Sequence, residues 1–92
     1  MEDQHWTTLR ECDEAEAAAK GSAFRAFKRI AAQWREAQDF RVLHHEADRA
    51  VIDALREQQR IYASTVNLLL LSPALATAVR AQMRRMITDP AE

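Results

Sequence analysis

The chain has 92 residues, 29% of them charged, with a net charge of −1 and a pI near 6.3. A chain this short buries little more than about 60% of the surface it exposes when unfolded, so a thin core is expected. Its single Cys excludes an internal disulfide and no Cys/His group has zinc-site spacing, which removes the usual staples of small domains and shifts the expectation toward oligomerisation.

Ala fills 18 positions, against one Gly and two Pro. With Arg, Glu, Gln and Leu filling most other positions, summed helix propensity is high and strand signals are sparse. The composition therefore predicts an all-α chain. The opening MEDQHWTTLRE has neither a basic start nor an apolar stretch, so no signal peptide is expected, and a lone thiol suits a reducing cytoplasm.

The first predicted element is an acidic helix within residues 1–20. Thr8 stands three residues before Glu11, the capping-box spacing, and Leu9, Cys12 and Ala19 supply only a narrow apolar stripe. Gly21 falls where a left-handed cap would end this helix, and Ser22 can cap the next. Residues 22–38 then read as an amphipathic helix: Phe24, Phe27, Ile30 and Trp34 recur on one face, while Arg25, Lys28, Arg29 and Arg35 fall mostly on the others.

Near Asp39 the apolar phase shifts, and a new seam runs through Leu43, Ala47, Val51, Leu55, Tyr62 and Leu69. This predicts a long helix over 40–71, about 45 Å at 1.5 Å per residue. The uncharged stretch from Ile61 to Val79 would hold the core, and its four leucines, Leu68–Leu71, would point around the whole circumference of a helix. No single intramolecular neighbour covers such a surface, which again favours a second copy. Ser72-Pro73 is a cap followed by a favoured first helical residue, so a last helix over 73–88 is expected, with Leu75, Val79, Met83, Met86 and Ile87 inward and Asp89-Pro90 stopping it. Together these elements predict a bundle of three to four helices, with one long helix and a C-terminal helical hairpin, completed by dimerisation. The expected dimer contacts are Leu55, Tyr62, Val66, Leu69, Leu70 and Met83.

The chemistry-bearing residues are few. His44, His45, Glu46 and Asp48 cluster, but only His44 and Asp48 would share a helix face, two ligands where zinc prefers four. Cys12 lies among Glu11, Asp13 and Glu14, which oppose thiolate formation. There is no Gly-rich phosphate loop, nucleophile elbow or zincin motif, so neither catalysis nor a cofactor is expected. The Ile61–Val79 stretch just reaches membrane-spanning length, but Ser72-Pro73 breaks it where it is most apolar.

Two functional readings follow. The first is a non-enzymatic homodimeric regulator or inhibitor that binds another protein through helix faces, such as a transcription-factor antiactivator or a phage-encoded inhibitor, with Arg25, Arg29, Trp34 and Met86 at the partner surface. The alternative is a small DNA-binding regulator using the basic face from Lys20 to Arg35. Ala17, Gly21 and Phe27 stand where a helix-turn-helix has its small residue, turn glycine and apolar anchor, whereas Glu16, Lys20 and Ser22 occupy positions such a unit normally buries.

Overall fold

In the computed structural model, which describes residues 6–88, the chain is not all-α. It forms β1 (Thr7–Thr8), α1 (Leu9–Ala15), α2 (Ser22–Ile30), β2 (Phe40–Leu43), α3 (Arg49–Glu57), β3 (Leu68–Leu71) and α4 (Pro73–Thr88), with a 3-10 turn at Ala31–Gln33. This is an α+β fold: four helices around a three-stranded antiparallel sheet of order β1-β3-β2. The expected Asp89-Pro90 stop, the start of the acidic helix before Trp6 and the side chain of Ile87 lie outside the described residues.

The main correction concerns residues 40–71, which form no long helix. The stretch is a strand, a nine-residue helix and a second strand. The leucine run is the middle strand, paired with β2 as Phe40↔Leu71, Arg41↔Leu70, Val42↔Leu69 and Leu43↔Leu68, and with β1 as Thr7↔Leu71 and Thr8↔Leu70. Successive side chains of a strand point to opposite faces, so a run that would encircle a helix divides here into two pairs. Leu68 and Leu70 join Trp6, Leu43, Ile52, Leu55 and Ile61 on the α3 side. Leu71, with Leu69 beside it, joins Cys12, Ala23, Ala26, Phe27, Leu75, Ala76, Val79 and Met83 on the other. A strand covered on both faces carries a continuous apolar run, and Asn67 and Ser72-Pro73 bound this one. The C-terminal helical hairpin is accordingly a strand-to-helix corner.

Local signals place the remaining elements. Thr8 caps α1 in a reciprocal box: its hydroxyl accepts from Glu11 N–H at 3.1 Å, and its own N–H donates to Glu11 Oε1 at 2.9 Å. Ser72 caps α4 by accepting from Leu75 N–H at 3.1 Å, with Pro73 as the first helical residue. α1 ends at Ala15, well short of Gly21, because Ala17 turns left-handed at φ 53°. α2 ends at Ile30 and passes through the 3-10 turn to Trp34, which packs partly buried against the α2/α4 core. Asp39, where the apolar phase shifts, sits in a tight turn in which its carboxylate accepts from Arg35 N–H at 2.9 Å.

That turn also covers part of the open sheet edge. Ser72 N–H donates to Asp39 C=O at 2.8 Å, one register step beyond Phe40–Leu71, so Arg41 and Leu43 aim their backbone groups at β3 while Phe40 and Val42 aim theirs outward. The outward groups of Phe40 are engaged, its C=O by Ala37 N–H at 2.6 Å and its N–H by Arg35 C=O at 3.3 Å. Little of β2 is left for edge-to-edge pairing.

Candidate nucleic-acid interface

α2 joins the core through Ala23, Ala26 and Phe27, all buried, and the Phe27 ring meets Phe40 edge-on with centroids 5.1 Å apart. Its outward face carries Phe24, 47% exposed, with Arg25, Lys28 and Arg29. Phe24 is expected inward with Phe27, but at about 100° per residue it lies some 60° beyond Phe27, further from the buried arc, and only Phe27 reaches the sheet. Lys28 Nζ sits 5.3 Å above the Phe24 ring, one helical turn away.

What holds α2 in place is a carboxylate that the sequence does not mark. Asp13, 1% exposed, accepts from Ala23 N–H at 2.7 Å, from Gly21 N–H at 3.2 Å and from the Tyr62 hydroxyl at 2.6 Å. It therefore takes the capping role expected of Ser22, across the α1–α2 turn, and fastens the loop before β3 to the same point. Gly21 is left-handed at φ 93°, a conformation that strains other residues, and directs its N–H to Asp13. Tyr62 is enclosed by Arg10 and Lys20, whose cationic groups lie 5.5 and 5.1 Å from its ring centroid, and Lys20 Nζ also donates to Ser64 Oγ at 2.8 Å. Burial, reinforced by the Asp13 hydrogen bond, pushes the Tyr62 hydroxyl up to about 12.

α4 packs against α2 on the same side of the sheet and adds Arg80, Arg84 and Arg85. Neither helix contains an acidic residue. Glu16 at the end of α1 holds two of these cations, Arg80 Nε and Arg84 Nη1, each at 2.7 Å, and those hydrogen bonds keep its carboxyl below the usual range. The α3 side is different: Glu46, Asp48, Asp53 and Glu57 there face only Arg49 and Arg56 within residues 46–57. The near-zero whole-chain charge thus conceals two adjacent helices, α2 and α4, that carry cations and no acid.

The other singled-out residues are dispersed. Leu55, Leu70 and Met83 are buried within the single chain, Leu69 packs partly buried against the α2/α4 core, Tyr62 is tied to Asp13, and Val66 is 59% exposed. Arg25 and Met86 meet at a small groove of about 190 Å³ with Ala18, Ser22 and Met83. His44 and His45 are exposed in the turn before α3, where Asp48 Oδ2 accepts from the His44 backbone N–H at 2.9 Å. Among the described residues no three His, Cys, Asp or Glu side chains gather as a metal site, and no helix is long and apolar enough to cross a membrane.

An open cleft of about 460 Å³ lies between α1 and the start of α4, with Cys12 on its floor and Arg60 and Arg80 at its sides. Burial pushes the Cys12 thiol up to about 11, so it stays protonated at neutral pH. Arg60 closes one side by donating to both Glu11 oxygens, at 2.8 and 3.2 Å, and to the Trp6 C=O at 2.7 Å. Burial alone would raise the Glu11 carboxyl, but the hydrogen bonds from Arg60 and Thr8 together outweigh it and hold it below its ordinary 4.5. A carboxyl lowered in the folded state adds stability that is complete above its unfolded value and lost as the pH falls through the folded one. Glu11→Gln should therefore flatten the decline in stability between neutral pH and the acid side of about 4.5, by under about 1 kcal/mol because the pair is partly solvated. Urea unfolding of both proteins across that range measures it, and parallel pH profiles would discount the contribution.

Comparison of the chain with protein families, with curated proteins and with solved structures finds no match.

Proposed function

We propose that this protein binds duplex DNA, with α2 as the helix presented to the nucleic acid, and that it works without catalysis in the cytoplasm. The observation that carries the reading is the outward face of α2: Arg25, Lys28 and Arg29 side by side with Phe24 on their flank, no acid on the helix, and Arg80, Arg84 and Arg85 on the helix packed beside it, the first two sharing the Glu16 carboxylate. A short helix that follows another across a turn, anchored by its inner face and cationic outside, has the form in which side chains reach a major groove while neighbouring cations meet phosphates. Glu16, which argues against such a unit from sequence, is here an ion-pair partner of α4.

The protein-binding regulator is the weaker reading. Its support was a leucine run and a helix too long for one chain, and those leucines lie against the chain's own helices on both sides. Self-association would fall to exposed residues such as Val66, outside the α2 face.

The test is fluorescence anisotropy of a labelled generic duplex at about 50 and about 200 mM salt, the range over which phosphate-dominated binding falls steeply. Binding should weaken with salt, and the folded triple variant Arg25→Ala/Lys28→Ala/Arg29→Ala should bind at least tenfold more weakly, with a salt slope smaller by up to about 3. Absence of binding at low salt, or an unchanged triple variant, would sink the proposal and return the protein-partner reading to first place.

A further inference from the structure

The basic face of α2 is not uniform, and its geometry separates a residue suited to read sequence from those suited to hold the backbone. The buried side is set by Ala23, Ala26, Phe27 and Ile30, which share one arc of the helix. At about 100° per residue, Arg25 and Lys28 then lie nearest the outermost line, with Phe24 on one flank and Arg29 on the other. In a major groove about 12 Å wide, the outermost line meets base edges and the flanks meet the sugar-phosphate walls.

Arg25 and Lys28 differ in what they can do on that line. Lys28 is a point charge drawn 5.3 Å above the Phe24 ring, toward a flank. Arg25, an exposed residue, stands in the first turn of α2, where its Nη2 donates to Ser22 Oγ at 3.4 Å, so the guanidinium is held over the helix start beside Gly21. The helix start is also the most firmly located part of α2, because Asp13 anchors the Gly21 and Ala23 amides. Arginine can offer two parallel N–H groups, and guanine is the base that presents two acceptors, O6 and N7, side by side in the major groove.

We propose that Arg25 is the specificity-determining residue of the α2 surface, reading a guanine through its O6 and N7, while Lys28 and Arg29 contact phosphates. The inference rests on the DNA-binding reading above and assigns it a base.

Selection from a randomised duplex library tests it, followed by affinities for the selected duplex and for the same duplex with the guanine replaced. The wild-type protein should enrich guanine at one position per site and prefer it roughly 5- to 150-fold, the range of a good bidentate contact. Arg25→Ala should abolish that preference while still binding unselected duplex. Arg25→Lys should keep the charge and lose most of the preference, which a phosphate contact would not do. Arg29→Ala should weaken binding to all sequences alike and lower the salt slope by about 1. If Arg25→Ala retains the guanine preference, or if the wild type binds duplex without base preference, the assignment of Arg25 fails while DNA binding stands. If the wild type binds no duplex at low salt, both fail together.

Discussion

Leu70→Ala should lower the unfolding free energy by about 3 kcal/mol, within the range of about 2–5 measured for emptying a buried leucine site. Leu70 is 1% exposed at the centre of the middle strand, with Leu43 and Leu68 on its own face of the sheet and Ile52 and Leu55 of α3 packed over it. A domain of this size has a total stability on the order of 5–15 kcal/mol, so the loss would shift a urea midpoint far outside error. Leu70→Glu should not fold, because it would put a carboxylate into the apolar cluster of Leu43, Ile52, Leu55, Ile61 and Leu68. Val66→Glu is the informative contrast. At 59% exposure it should change stability by less than about 0.5 kcal/mol, and if sedimentation shows a dimer that this variant dissociates, Val66 rather than Leu70 is the interface residue. A Leu70→Ala protein as stable as the wild type would contradict a central β3.

Asp13→Ala should cost about 3 kcal/mol as well, by a different mechanism. It removes one acceptor from three donors, the Gly21 and Ala23 amides and the Tyr62 hydroxyl, and buried donors left unpaired cost about 1–3 kcal/mol each before water relieves them. Asp13→Asn should fall between, since an amide keeps one acceptor oxygen but turns a second donor toward the same backbone groups. Tyr62→Phe removes a single donor and should cost about 1 kcal/mol. Amide hydrogen exchange locates the effect: protection at Gly21 and Ala23 should drop in Asp13→Ala and stay near normal in Tyr62→Phe. Because Asp13 fixes the start of α2, duplex affinity should fall in Asp13→Ala under conditions where the protein remains folded. Full stability and unchanged exchange in that variant would show the three hydrogen bonds to be dispensable.

The parts of this fold that were readable from the chain are those decided within a few residues. Thr8 and Glu11 identify the start of α1, Ser72-Pro73 the start of α4, and the Phe27/Ile30 spacing the inner side of α2, because capping and helical periodicity depend on neighbours three or four positions away. The cationic α2 face was legible for the same reason. Residues 40–71 were misread because Ala, Arg, Glu and Gln favour helix locally, and α3 does realise that preference at Arg49–Glu57. The available counter-signal was the leucine run bounded by Asn67 and Ser72-Pro73, which fits a strand buried on both faces as well as a helix without a polar side.

The sequence by itself determined the Thr8 and Ser72 caps, with the starts of α1 and α4 that they mark, and the cations that face outward on α2. Tertiary structure alone decided that Leu68–Leu71 is a strand, since strand pairing joins residues about 30 and 60 positions apart whose hydrogen bonds leave no local periodicity. It also decided that Asp13 is the anchor of α2. An aspartate in the acidic run Glu11–Glu16 reads as solvated until the turn, the helix start and the Tyr62 loop close over it, and only that enclosure gives its oxygens three donors in place of water.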